Sequence, residues 1–321
     1  MTESTVPREG DEWGTRRRSG AARSGSTALR RRDRRRSAAG LLLVSPALVL
    51  TALLFVLSLG LTGWMSLDDW PLLGEPRFVG LDNYRRVFAD ETFWRALLFT
   101  AEYTVLVTVA IFAVAFPLAL LVRGRARTVG VYRTAFFLPT VIGMAVAALL
   151  WSWLYNPRLG HLPHLVVSLG LTDKPPQWMS TTTGALVCVT VMVVWKTAGF
   201  NMLLLLVGMQ TIPDELYEAA RIDGATGRQQ FRHITLPLMR PTPALALALS
   251  LTGSYLAFDQ FFVLTGGGSD NSTLTAVFSA YKAAFTQFRL GPSAAVGMVM
   301  LAVILLLNLA QLRLMRTEED A

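Results

Sequence analysis

The chain has one cysteine, Cys188, so no disulfide can close within its 321 residues and cysteine usage reports nothing about redox compartment. Lying inside an apolar run, Cys188 reads as a small packing residue. Charge is also scarce. Charged residues make up 16% of the chain against 52% hydrophobic ones, and the mean hydropathy is +0.43. Such a balance argues against an ordinary soluble domain and suits a bundle of membrane spans. Only three histidines are present, His161, His164 and His233, and no serine or cysteine has an evident base beside it. There is no Gly-x-x-x-x-Gly-Lys-Ser/Thr phosphate loop. The chain is therefore not expected to be an enzyme or to hydrolyse ATP, and energy for any work must come from a partner. His161 and His164 flank Pro163, which is expected to spoil helical facing, and no third ligand is near. A solvated loop is expected there, with no metal.

The charge that exists is unevenly placed. Of the net +8, most sits in residues 1–40, where eleven arginines face five acidic residues. A nucleic-acid arm would interleave aromatics with the basic residues, and this segment does not. Beside a long apolar run, the cluster reads instead as a topology signal and an anchor to anionic lipid. Its Ser, Gly and Arg content predicts a disordered cytoplasmic tail over 1–40.

Six apolar runs follow, at about 41–64, 96–122, 134–155, 184–207, 242–264 and 292–312. The first, at ~1.5 Å per residue, reaches about 36 Å, enough for a ~30 Å hydrocarbon core. It is too long for the apolar part of a signal peptide and lacks an Ala-x-Ala site. Arg123, Arg125, Arg127 and Arg133, then Arg221, Arg228, Arg232 and Arg240, then Arg313 and Arg316 mark one side of the membrane. The positive-inside rule makes that side cytoplasmic and puts both termini there, with a short C-terminal tail at 317–321. Ala244, Ala248 and Thr252 recur every four residues in the fifth run, a spacing that lets helices approach closely.

Between the fourth and fifth runs lies a polar stretch, residues 213–241. Pro213 suits a helix start, and Asp214 and Glu215 suit its positive end. Leu216, Ala219 and Ala220 then share one small, smooth face. Gly224 can end that helix in the left-handed conformation. Thr226 and Gln229 have capping-box spacing for a second helix, which Pro237 limits.

Glu218, Ala219, Ala220, Gly224, Ile234, Leu236 and Pro237 match every fixed position of the Glu-Ala-Ala loop of permease subunits of ATP-binding-cassette importers. Asp223 and Ala225 match its carbohydrate-type variant, and Phe78-Val79-Gly80-Leu81-Asp82-Asn83-Tyr84 resembles the external loop of sugar-type permeases. The resemblance covers nearly all of 41–316. It implies an all-α membrane protein of the type I importer fold, with six transmembrane helices and a cytoplasmic coupling-helix loop. It implies four partners besides membrane lipid and no nucleic acid: a homologous second permease subunit, two ATPase subunits carrying the ATP and Mg²⁺, and an external solute-binding protein. Leu216, Glu218, Ala219 and Ala220 would touch the ATPase. Gly224 would set the turn, Leu236 and Pro237 would fix the second helix to the bundle, and Asp223 and Ile234 complete the coupling loop.

Charge at bilayer depth costs about 2.5–3.5 kcal/mol, so Lys196 and Asp259, with Glu102 nearer the surface, must meet one another, water or a cavity. Trp195, Asn201, Tyr255, Asp259 and Gln260 offer the aromatic faces, amides and carboxylate that suit a sugar, and are the expected substrate path. Glycerol phosphate or a polyol is the alternative solute. A self-sufficient secondary transporter is the rival class, but it would ordinarily show more intramembrane carboxylates and no coupling loop.

Overall fold

The structure is a computed structural model that describes residues 43–71, 74–124 and 127–317, without the side chains of 314–317. The Arg-rich tail with its lipid contact, the first two residues of the first run, Arg125, the side chain of Arg316 and the residues after 317 lie outside the described residues.

Among the described residues, four helices are long and apolar enough to cross a membrane: α1 (Leu43–Leu67), then a long helix Glu91–Leu121, a second at Thr182–Gln210, and the last at Leu290–Arg313. Two bent pairs bring the number up to six if each is one span: Arg127–Val141 with Met144–Leu154, bent by 96°, and Gly227–Leu238 with Pro241–Tyr255, bent by 73°. Large apolar side chains stand exposed along these helices, among them Leu98, Val105, Val109, Val191, Val207 and Leu306. Such a surface is costly in water and neutral against lipid tails.

At one end, α1 runs into strand β1 (Asp68–Asp69), which pairs antiparallel with β2 (Arg77–Phe78). Helix α2 (Asp82–Ala89) follows, and its first turn clasps the end of α1. Asn83 Nδ2 donates to the carbonyls of Ser66 and Asp68 at 3.0 and 2.8 Å, and Tyr84 Oη meets Ser66 Oγ at 2.8 Å. The Asn83-Tyr84 pair of the external-loop motif thus closes local hydrogen bonds that an apolar run cannot close for itself.

Helix α3 (Glu91–Leu121) starts where Asp90 Oδ1 accepts from Thr92 N at 2.8 Å. Phe99, Tyr103, Val107, Ile111, Ala115 and Ala119 recur every four residues, and all are buried. This stripe packs against helix α7 (Thr182–Gln210), which contributes Val189, Met192, Met202, Leu205 and Met209. Between them in sequence lie α4 (Arg127–Val141), α5 (Met144–Leu154) and α6 (His161–Ser168). The break between α4 and α5 follows Pro139, which donates no N–H, and ends at Gly143 in extended conformation. A Cβ on Gly199 of α7 would fall on the Phe136 carbonyl oxygen of α4, so the two backbones touch at a point only glycine allows.

Two expectations change. Pro163 does not break the chain: it is the third residue of α6, in the first turn, where its missing N–H costs nothing. His161 and His164 therefore share a helix. The His161 ring lies 4.9 Å from that of Trp153, and His164 Nε2 is 3.1 Å from the Arg158 carbonyl. The expected fifth run is also not one helix. After α8 (Asp214–Ile222) and α9 (Gly227–Leu238), helix α10 (Pro241–Tyr255) stops, and α11 (Asp259–Leu264) begins after a non-helical gap. The Ala257 carbonyl in that gap accepts from Thr275 Oγ1 at 2.7 Å. A side chain thus supplies the bond that the helix gives up. Helix α12 (Ala276–Tyr281) and the wide turn Lys282–Thr286 lead into α13 (Leu290–Thr317).

Candidate functional site

Helix α8 carries Asp214 and Glu215 in its first turn and Arg221 in its last, matching the helix dipole. It ends in a Schellman turn. Ala225 N donates to the Ala220 carbonyl at 2.8 Å and Gly224 N to that of Arg221 at 3.1 Å, with Gly224 at φ +78°. The next helix starts with both halves of the capping box. Thr226 N donates to Gln229 Oε1 at 2.7 Å, and Gln229 N to Thr226 Oγ1 at 3.4 Å. Gln230 Nε2 closes the corner by donating to the Ala225 carbonyl at 3.1 Å.

This elbow is attached through Tyr217, which is buried. Its hydroxyl meets Thr235 Oγ1 on α9 at 2.9 Å, and the Arg123 guanidinium, just past the end of α3, stands 4.1 Å from its ring centroid. Tyr217 belongs to one apolar cluster with Ala119, Val122, Met209, Ile212 and Met239. The opposite face is bare: Leu216, Glu218, Ala219, Ile222 and Asp223 are exposed, while Ala220 is half-buried. Ile222 is 87% exposed, an apolar knob at the tip of a polar loop. On α9, Ile234 packs against the cluster and Thr235 is buried, whereas Leu236 stays exposed and Pro237 half-buried. The bundle is thus gripped by Ile234, Thr235 and Met239 more than by Leu236.

A second feature lies within the bundle. A cavity of about 160 Å³ is lined mostly by apolar surface, from Ile111, Met144, Val193, Phe200 and Leu249, into which Tyr103 of α3, Thr140 of α4, Thr197 and Asn201 of α7, Ser250 and Ser254 of α10, and Gln260 of α11 bring polar groups. Ser250 Oγ donates to Asn201 Oδ1 at 3.1 Å, Asn201 Nδ2 to the Thr197 carbonyl at 3.1 Å, and Gln260 Nε2 to Tyr103 Oη at 3.1 Å. Of the five expected path residues, Asn201 and Gln260 line this cavity. The Trp195 ring instead lies tilted 5.6 Å from that of Trp151, and Asp259 is the half-buried first residue of α11. Tyr255 is buried outside the lining, and its hydroxyl has no hydrogen-bond partner among the described residues.

Lys196 forms no ion pair among the described residues. Its Nζ donates to the Thr140 carbonyl at 3.3 Å, and Thr140 Oγ1 donates back to the Lys196 carbonyl at 2.9 Å. This reciprocal clasp sits just before the α4–α5 break.

Tyr217, Ile222 and Arg123 did not emerge from the sequence as site residues. Leu216 and Tyr217 are adjacent and both apolar, so nothing local says which is buried. Arg123 looked like one more positive charge on the inner side. Tyr103 and Ser250 were equally hidden, as single polar residues within apolar runs.

Residues 89–317 match the family model described as "Binding-protein-dependent transport system inner membrane component". Among curated relatives, a probable ABC transporter permease protein, YurN of Bacillus subtilis, is 36% identical over 80% of this chain and 89% of its own length. The trehalose/maltose transport system permease protein MalF of Thermococcus litoralis is 32% identical over 88% and 95%. Among solved structures, a chain of a bacterial alginate ABC transporter, crystallised in complex with an alginate pentasaccharide-bound periplasmic protein, shares the fold. Its TM-score is 0.76 at 22% identity, over 87% of this chain and 94% of that one. With the fold, the elbow and these matches in agreement, the chain belongs to the family of inner membrane components of binding-protein-dependent transport systems.

Proposed function

We propose that this chain forms half of the membrane path of an ATP-binding-cassette importer for a carbohydrate, with both termini in the cytoplasm. A homologous permease subunit supplies the other half, two ATPase subunits supply the energy, and an extracytoplasmic solute-binding protein delivers the sugar. The chain itself carries no catalytic group and no cofactor. ATP and Mg²⁺ belong to the ATPase subunits.

The observation that carries this reading is the elbow: a helix pair set rigidly on the bundle, with a bare small-residue face ending in Ile222. A nine-residue helix is too short to persist alone. Packing and two matched caps hold this one while its outer face stays unused, the arrangement of a docking element. Leu216, Glu218, Ala219 and Ala220, with Ile222, meet the ATPase. Asp223 and Gly224 set the turn. A push on the elbow reaches the bundle through Tyr217, Ile234 and Met239 and changes access to the cavity by alternating exposure. The cavity lining is largely apolar, with a few amides and hydroxyls and no carboxylate, which suits a neutral solute better than a cation. The maltose-type relative favours the same substrate class.

The test is co-purification. The ATPase subunit should be retained by this chain and lost when Glu218 and Gly224 are both changed, with uptake of labelled sugar in proteoliposomes requiring ATP. Uptake driven by an ion gradient without ATP would mean a secondary transporter instead.

A further inference from the structure

At the end of α3 away from the elbow, about 45 Å along the helix, a pocket of about 300 Å³ opens between α2, the start of α3, and the segment from Asn271 to Val296. Three cations from three pieces of chain line it: Arg86 on α2, Lys282 after α12, and Arg289 before α13. Asp90 is its one carboxylate, and Asp90 Oδ1 is already engaged by Thr92 N as the cap of α3. Lys282 Nζ donates to Asn271 Oδ1 at 2.6 Å. Among the described residues, Arg86 and Arg289 have no ion pair.

The frame of this pocket is tightly built. Ala276 N donates to Thr100 Oγ1 at 2.9 Å, Ser293 Oγ to the Ala280 carbonyl at 2.8 Å, and Leu290 N to the Trp70 carbonyl at 3.2 Å. Asp270, Asn271 and Phe288 hold left-handed backbone at φ 52°, 59° and 58°, conformations that non-glycine residues keep only where surroundings impose them. Three like charges thus line one space with a single carboxylate among them, and an anion entering the pocket meets all three. Phe285 and Phe288, next in sequence to the lining residues Thr286, Gln287 and Arg289, are 65% and 54% exposed. Aromatics beside arginines are the composition of a protein docking site.

We infer that this pocket receives an acidic side chain of the solute-binding protein, and that Arg86, Lys282 and Arg289 steer and seat it. The inference rests on the importer reading, which places solute delivery at the end of the bundle away from the ATPase. Charges at the edge of such an interface act chiefly on encounter rate and salt sensitivity.

The experiment uses the complete importer in nanodiscs, titrated with its solute-loaded binding protein at low and high salt. Wild type should bind more weakly as salt rises. The Lys282→Gln/Arg289→Gln variant should bind about tenfold more weakly at low salt and lose most of that salt dependence. Its stimulated ATPase rate should match wild type once the binding protein saturates. Arg86→Gln, an exposed position without a partner to lose, should show the same trend more weakly and guards against a folding artefact. A Glu→Lys or Asp→Lys change on the binding protein should restore binding to Arg289→Glu. Unchanged affinity and salt slope in the double variant overturn the inference. So does a variant whose binding is normal but whose response to phosphatidylglycerol in the nanodisc is lost, which would make the pocket a headgroup site. A wild-type complex that no binding protein stimulates would instead overturn the importer reading itself.

Discussion

Replacing Tyr217 with alanine should detach the elbow while leaving the spans in place. The side chain is 5% exposed, its hydroxyl meets Thr235 Oγ1 at 2.9 Å, and its ring lies under Arg123 at 4.1 Å. Truncating a buried aromatic costs about 3–5 kcal/mol. Removing only the hydroxyl costs about 1 kcal/mol, and Thr235 Oγ1 can still donate to the Gln230 carbonyl, 3.4 Å away. Tyr217→Phe is therefore the control that keeps the packing and the guanidinium contact. At ~1.4 kcal/mol per factor of ten, a loss near 4 kcal/mol raises the open fraction of α8 about a thousandfold, against about fivefold for phenylalanine. Hydrogen exchange on the reconstituted complex reads this directly. Amides of α8 should lose about three decades of protection in Tyr217→Ala and less than one in Tyr217→Phe, while α3 and α7 hold theirs. ATPase retention should fall in the same order. Full α8 protection in Tyr217→Ala would refute the idea that this side chain anchors the elbow.

Gly224→Pro cannot reach φ +78° and removes the N–H that bonds to Arg221. Membrane insertion should survive it, but ATP hydrolysis and sugar uptake should separate, as measured together in proteoliposomes. Gly199→Leu drives a side chain into the Phe136 carbonyl, so the detergent-solubilised complex should melt earlier or fail to assemble. Asn201→Leu and Gln260→Leu remove amides that line the cavity. Each should lower uptake severalfold with assembly intact, and more than Asp259→Ala does, since Asp259 lies outside the lining.

The elbow was legible because every step in it is local. Capping boxes and Schellman turns work through neighbours three to five residues away, so Thr226, Gln229 and Gly224 announce their roles in the sequence. Long apolar helices were equally plain, since hydropathy alone sets their length. What sequence could not show depends on contacts between distant segments. Lys196 and Thr140 are 56 positions apart, and Gln260 and Tyr103 are 157 apart. The stop at Tyr255 was invisible for a related reason. No proline or glycine pair marks it, and the bond that steadies the gap comes from Thr275, beyond the next turn.

The attachments along α7 divide the bundle mechanically. Gly199 meets the α4 backbone directly, and three positions earlier Lys196 and Thr140 exchange two hydrogen bonds. Contacts at backbone range leave no room for sliding, so α4 and α7 must move together. The lower ends of α3 and α7 share the apolar cluster that holds Tyr217, which ties the elbow to the same block. The remaining cavity wall is of another kind. Ser250 and Ser254 lie before the α10–α11 gap and Gln260 after it, and side-chain bonds from Ser250 to Asn201 and from Gln260 to Tyr103 join that wall to the block. Side-chain hydrogen bonds of about 1 kcal/mol each are exchanged far more readily than a backbone contact is pried apart. On the proposed function, force entering at the elbow would move α3, α4 and α7 as one piece, and the cavity would yield where α10 gives way to α11.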